Sequence, residues 1–427
     1  MSGTFQSPPG TQDWLPERMA IRRAVIARAE EIFTAAGYRE MVVPLIEDTT
    51  LFVRTSGEGS DVVTKEMYSF VDRGDRDLTL RPELTAGLVR AYLQHGMATR
   101  PQPVRIFSCG NAYRYNRMQR GRLREFVQFD VEAIGSADPA VDAEIIALQM
   151  RWLEAIGMDG LELEINSIDT PAARRAYVAD LQAFIDAHAG ALSDDVRRLR
   201  DVNPLRAFDT KDERSRAVLA EAPKITDRLS EGAAEHFAAV RAFLDARGVA
   251  YRVEPTLVRG LDYYTHTAWE IKWPPLGAQS TVSGGGRYDG FAEILGGPPT
   301  PGIGFAAGID RIVLALQDTG RAEALTGSQD PDLFAQITVP EARPRLHALL
   351  DELRLAGVRC EADLAGRSEK GQWKHAERLG ARLIVQCGPE QWAAGTVQLR
   401  DRARGATDPV ALEDLVRVVV ERIGIEQ

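Results

Sequence analysis

The chain is poor in the residues that build covalent or metal staples. Its 427 residues include 3 cysteines and 6 histidines. Cys109, Cys360 and Cys387 are scattered, so no disulfide framework is expected, and a reducing cytosol suits them. The histidines are isolated, with no Cys or His pair at ligand spacing, which argues against a structural zinc. There is no run of about 18 uncharged apolar residues, so no membrane span is expected. The opening MSGTFQSPPGTQDWLP has no basic region followed by an apolar stretch; no signal peptide is read, and the expected location is cytoplasmic. No glycine loop ends in GK[ST], which excludes a Walker A site. Positive charge is also short: 52 Lys plus Arg stand against 62 Asp plus Glu, a net charge of −10. A wholesale polyanion binder is normally basic, so any nucleic-acid partner has to be met by local patches.

The remainder is ordinary for a globular chain, 44% hydrophobic and 27% charged. At roughly 100–200 residues per domain, two to four domains are expected. Apolar residues at Ile21, Val25, Ala29, Ile32 and Phe33 predict a helix over 16–36, stopped by Gly37. MVVPLIED (41–48) reads as a strand interrupted by Pro44, at an edge or interface. MYSFVD, LTLRPE, VRIFSCGNAYRY and REFVQFDVEAIG read as strands joined by short turns, as in an antiparallel sheet. A helix and the strand LELEINS follow, and then 170–250 turns rich in Ala, Arg, Asp and Glu at helical spacing, a helical insertion. Strand patterns resume over 251–322 and end in a helix. Beyond a Gly/Asp/Ser linker, 331–427 alternates strands with helices, a small α/β domain. The expected fold class is therefore α+β: an antiparallel-sheet body over 1–169 and 251–322, a helical insertion, and an α/β tail.

Five stretches carry chemistry. Arg105 to Arg124 holds six arginines and no acid, and arginine forks grip phosphate bidentately. A solvated basic loop would look the same, but strand alternation around Tyr113–Tyr115 and Phe126–Phe129 turns Arg114 and Gln128 toward a sheet face, as in a lined pocket. In LRPELTA, Glu83 and Thr85 alternate on a predicted strand end and would share a face; the plainer alternative is a surface carboxylate and a helix cap. VRGLDYYTHTAWEI places Arg259 near Tyr263 and Tyr264, which otherwise read as packing aromatics. SGGGRYDG offers glycines for close approach, and GIGFAAGIDR puts small residues before Arg311.

Together these stretches resemble the histidyl-tRNA synthetase family of class II aminoacyl-tRNA synthetases. PPGTQDWLP is similar to its N-terminal signature. The helix through Phe33 with the Pro44 segment resembles motif 1, the dimer element. YRYNRMQRGRLREFVQFDVEAIG resembles motif 2 and GIGFAAGIDRIVLAL motif 3. LVRGLDYYTHTAWEI and SGGGRYDG resemble the two histidine signatures, and the tail resembles an anticodon-binding domain. The resemblance implies a homodimer that activates L-histidine with ATP and Mg2+, releases pyrophosphate, and charges tRNA(His). It implies that Glu83, Thr85 and Gln128 hold the α-ammonium, that Glu132 and Tyr264 meet the imidazole nitrogens, and that Tyr263 completes the wall. Reading both nitrogens would discriminate against apolar amino acids by about 10⁴ or more. It further implies that Arg259 and Arg114 bind the carboxylate and α-phosphate and act as catalytic residues. Arg122 and Arg311 would take the rest of the triphosphate, Phe126 the adenine, and Arg117, Gln119 and Arg120 the tRNA acceptor end.

The chain departs from the family pattern at Asn116, where an acid is usual, at Met118, where Pro is common, at Leu84, and at Asp310, where Glu is usual. Residues 331–427 carry only −1 of the net −10, and Arg367, Lys370 and Lys374 are candidates there for RNA contact or simply for a solvated helix face. A second functional class remains: the non-catalytic regulatory paralogue of ATP phosphoribosyltransferase, which binds histidine but generally lacks the tail and the arginine of the first histidine signature. A prolyl or threonyl enzyme is disfavoured by RGLDYY, SGGGRYDG and the absence of a zinc constellation.

Overall fold

The computed structural model describes residues 4–56, 62–258 and 263–424. They form two compact units, one ending at Thr326 and the other beginning at Gly327. The first contains strands β1 (Arg39–Glu40), β2 (Ile46–Asp48), β3 (Tyr68–Val71), β4 (Asp77–Leu80), β5 (Val104–Tyr113), β6 (Glu125–Ile134), β7 (Glu162–Ser167), β8 (Arg252–Val253), β9 (Thr265–Lys272), β10 (Thr281–Arg287) and β11 (Gly302–Gly308). Eight of them make one sheet in the order β1-β5-β6-β11-β10-β9-β7-β8. It is antiparallel from β5 through β7, with β1 and β8 added parallel at its edges. Strands β2, β4 and β3 form a small separate sheet.

Alternation along the strands gives the large sheet two unlike faces. On β6, Val127, Phe129, Val131 and Ala133 point into an apolar core with Ile21, Val25, Ala29 and Phe33 of the helix Pro16–Ala35. The helix Pro139–Ala155 packs there too, and its Trp152 indole donates to the Val25 carbonyl at 3.0 Å. Phe33 is the hub, with ring centroids 5.6 Å from Tyr38, 6.0 Å from Phe129 and 5.7 Å from Phe305. The intervening residues of β6, Gln128, Asp130 and Glu132, turn to the opposite face and line a cavity.

Two local expectations fail for stated reasons. MVVPLIED is not one strand. Met41 still donates to Phe107, but Pro44 has no N–H to offer a ladder, and the buried Arg81 guanidinium takes the Val43 carbonyl at 2.7 Å. The chain therefore leaves one sheet and enters the other at β2. LRPELTA is not a strand end either. β4 stops at Leu80, and Thr85 opens the helix Thr85–Gln94 with Leu84 at the N-cap and no side-chain cap bond. The Thr85 hydroxyl is committed elsewhere, as described below.

Between β7 and β8 the helices Pro171–Ala187, Asp194–Val202, Glu213–Leu219 and Glu231–Ala246 each begin at a side chain that accepts a first-turn N–H: Thr170, Ser193, Asp212 and Ser230. The last of them sinks Phe237, Val240 and Leu244 into the sheet's own core. The second unit holds β12 (Leu333–Ile337), β13 (Cys360–Ala362), β14 (Leu383–Cys387), β15 (Thr396–Asp401) and β16 (Ala406–Ala411) in the order β13-β12-β14-β15-β16. β16 was not anticipated because Pro409 interrupts its pattern. It pairs only with β15, and an edge tolerates the missing donor. No helix among the described residues is long and apolar enough to cross a membrane.

Phe33→Ala should destabilise the first unit by about 3–5 kcal/mol through the cavity it leaves. Urea unfolding followed by tryptophan fluorescence measures this, and a loss under about 1 kcal/mol would remove Phe33 from the centre of the core.

Candidate functional site

The polar face of the large sheet carries a cavity of ≈ 520 Å³. Glu83, Thr85, Arg114, Arg122, Phe126, Gln128, Glu132, Tyr263, Tyr264 and Arg311 all line it. Arg117, Gln119 and Arg120 are not among its lining. They stand exposed in the loop between β5 and β6, where Arg120 pairs with Asp318 at 2.5 Å. Arg259 lies outside the described residues.

At one end of the cavity Glu132, 1% exposed, accepts the Thr85 hydroxyl at 2.8 Å on one oxygen and the Tyr288 hydroxyl at 2.6 Å on the other. Burial nevertheless pushes its carboxyl up to about 8 against the pull of the two hydroxyls, with Glu83 adding to the rise. The neighbouring strand makes room: a methyl at Gly304 would overlap the Glu132 carboxylate and the Val131 carbonyl. Glu83 is reached by the Tyr263 hydroxyl at 3.4 Å, and burial raises its carboxyl as well, with Arg114 opposing. Glu83 Oε1 and Gln128 Oε1 are buried acceptors with no hydrogen-bond partner among the described residues. A donor-rich cation entering the cavity would satisfy both.

The tyrosine pair is set by an irregularity between β9 and β10. The register shifts between Gly286 and Arg287, and His266 takes a left-handed φ of 45°. This brings Tyr264 against Gly286, where a Cβ would lie 2.6 Å from the tyrosine ring. Below Tyr288, Arg287 is fully buried and pairs with Asp142 at 2.5 Å and Asp289 at 3.2 Å. Asp289 in turn accepts from the Gly302 amide at 3.0 Å, which joins the end of β10 to β11.

Arginines dominate the other part of the lining. Arg114 is oriented by its Nε bond to the Pro82 carbonyl at 2.8 Å and lies 5.7 Å from the Phe126 ring centroid. Burial, and then the like charge of Arg122, hold the Arg311 guanidinium below its usual range. Two arginines that raise each other's cost are in place to gain from an anion between them.

The structure also places the departures from the family pattern. Asp310 accepts the Val127 amide at 2.6 Å and the Gln12 side-chain amide at 2.8 Å, so it ties the N-terminal segment, β6 and the helix Ile309–Asp318 together beside Arg311. Asn116 is buried on the cavity wall. Leu84 is fully buried core, and Met118 is half exposed on the loop. Among the lining residues missed from sequence are Tyr288, Asp130 and Arg206. Asp130 had a signal, since it shares the alternating face of β6 with Gln128 and Glu132. Tyr288 had none, because its partner is 156 residues away. Arg206 arrives from the insertion. Among the described residues, no three His, Cys, Asp or Glu side chains cluster to cage a metal ion.

Comparison with known proteins gives consistent matches across the chain. A family model described as histidyl-tRNA synthetase matches residues 10–312, and one described as an anticodon binding domain matches 335–422. A histidine–tRNA ligase of Pelotomaculum thermopropionicum is 42% identical over 97% of both chains. One from Mycobacterium bovis is 43% identical over 98% of both. The crystal structure of apo S. aureus histidyl-tRNA synthetase superposes with a TM-score of 0.81 at 36% identity, covering 97% of this chain and 100% of that one.

The Glu132 carboxyl binds its proton more tightly folded, at about 8, than at the ordinary 4.5. Its contribution to stability is therefore fully present at low pH and is lost as pH rises from about 4.5 to about 8. Calorimetry of the ligand-free protein should show Tm falling over the upper part of that window, and falling less steeply in Glu132→Gln. Parallel slopes would mean that Glu132 does not titrate there.

Proposed function

The chain belongs to the histidyl-tRNA synthetase family, and on that premise we propose how its cavity performs histidine–tRNA ligation. The overall activity joins histidine to tRNA at the expense of ATP. In our reading the Glu132 end takes the amino acid. Glu83, Gln128 and Thr85 hold the α-ammonium, and Tyr263 closes the wall. The Glu132 carboxylate and the Tyr264 hydroxyl meet the two imidazole nitrogens, with Tyr288 fixing the carboxylate from behind. What supports this is the pair of unpartnered acceptors on Glu83 and Gln128 beside a carboxylate locked by two hydroxyls.

The arginine end takes ATP. Phe126 faces the adenine, Arg311 and Arg122 bind the outer phosphates, and Arg114 and Arg259 flank the α-phosphate and the histidine carboxylate. That carboxylate is already ionised, so its attack on phosphorus needs no general base. The work is alignment and neutralisation of charge on the phosphate oxygens. Mg2+ would travel with the β- and γ-phosphates, which supply most of its shell, and would neutralise the departing pyrophosphate. Arg117, Gln119 and Arg120, exposed on the motif 2 loop, then face the acceptor end of tRNA(His).

We divide the chain into a catalytic body (1–169 and 251–322), a helical insertion (170–250) and an anticodon-binding tail (331–427). In the tail, Lys370 and Lys374 are exposed one helical turn apart, whereas Arg367 is spent on Asp363 at 2.6 Å. Exposed Val42, Ile46, Phe70 and Val71 support pairing with a second copy through the motif 1 region. Three free cysteines suit a cytoplasmic setting. The regulatory reading is disfavoured by the intact tail.

Purified protein should sediment as a dimer and exchange pyrophosphate into ATP with histidine alone among the twenty amino acids. It should then charge a tRNA(His) transcript. Exchange supported by another amino acid, or by none, overturns the proposal.

A further inference from the structure

We propose that Asp130 is a further residue of the amino-acid subsite, neutral while that subsite is empty and ionised when the α-ammonium of histidine arrives, so that binding expels one proton to solvent. The inference rests on the assignment of Glu83 and Gln128 to the α-ammonium.

Asp130 lies on β6 between Gln128 and Glu132 and shares their face. It lines the cavity, is 0% exposed, and neither of its oxygens has a hydrogen-bond partner among the described residues. Its register neighbours are Ser108 on β5, whose buried hydroxyl is also without a partner among the described residues, and Ala306 on β11, which brings no charge. The charged groups facing it are Glu132 on its own strand, Glu83 and Arg81 from the segment before the helix Thr85–Gln94, and Arg114 from the end of β5.

The two neighbouring carboxylates are supplied with donors and Asp130 is not. Glu132 accepts two hydroxyls and Glu83 accepts one. Both nearby cations are committed to carbonyls: Arg81 donates to Asn111 and Val43, and Arg114 to Pro82. Hydrogen bonds to a charged carboxylate favour its charge, and a dry site shared by like charges opposes it. Of the three, Asp130 is therefore least able to stay ionised in the empty site. Burial, and then Glu132 and Glu83, hold its carboxyl well above the usual range. An α-ammonium brings the missing positive charge and up to three N–H donors. The O–H bond of Asp130 then breaks, its proton leaves to solvent, and the carboxylate remains opposite the ammonium.

Calorimetric titration of L-histidine into the full-length protein, without ATP, in buffers of different ionisation enthalpy counts the protons. At about pH 7.5 the imidazole of free histidine is mostly neutral. Wild type should release about one proton more than Asp130→Asn. Equal counts in the two proteins, or no release by wild type, overturn the proposal. If Asp130→Asn does not fold, Glu132→Gln decides, since it removes the other carboxyl that titrates near pH 8: it should still release about one proton on binding histidine, and no release overturns the proposal. Glu83→Gln separates the underlying assignment. If that variant binds histidine as tightly as wild type, the α-ammonium assignment fails whatever the proton count.

Discussion

Glu132 is a carboxyl group sealed from water, and a sealed polar group needs partners placed before any ligand arrives. The Thr85 and Tyr288 hydroxyls supply them from opposite directions. Much of the surrounding fold can be traced to this arrangement. Thr85 gives up capping its helix to reach the carboxylate. Gly304 has no side chain because the carboxylate occupies that space. Tyr288 is held at the end of β10 by the buried Arg287–Asp142 pair and by Asp289 bonding across to β11. The Glu132 end of the cavity is thus held by three elements distant in sequence that converge on one functional group.

The cavity is electrostatically divided. Glu83, Asp130 and Glu132 crowd acids into the part proposed to receive an ammonium and an imidazole. Arg114, Arg122 and Arg311 stand where a triphosphate and a developing negative charge are expected. Neither set is comfortable alone: burial raises all three acids and lowers Arg311. Substrates that bring the complementary charges relieve both, which is how preorganised sites turn folding energy into alignment. The net charge of −10 hides this division, because the positive island of Arg105–Arg124 is small beside the acidic remainder.

Local pattern carried a good part of this into the sequence. Alternation turned Arg114 and Gln128 toward one face, and helical spacing found Ile21 through Phe33. The resemblance to the family pointed to ten residues that line one cavity. What escaped depended on distant partners. Pro44 looked like a flaw in one strand, but the carbonyl beside it belongs to Arg81, 38 residues on. Thr85 looked like a cap because its true acceptor is 47 residues away. Tyr288 stood inside a motif already singled out for its glycines, and nothing local tells a packing tyrosine from one that grips a carboxylate. Asp130 was legible by alternation but not by charge, since burial and missing donors exist only once the strands have paired.

The central claim is that the hydroxyl-locked charge of Glu132 reads the imidazole of histidine. Its most direct test is the steady-state kcat/KM for histidine in Glu132→Gln, which keeps the shape and removes the charge. Losing one partner of a buried charged contact costs roughly 2–5 kcal/mol, so kcat/KM for histidine should fall by at least about 30-fold while KM for ATP is unchanged. A variant that uses histidine as efficiently as wild type, or one that loses ATP and histidine together, would contradict the account.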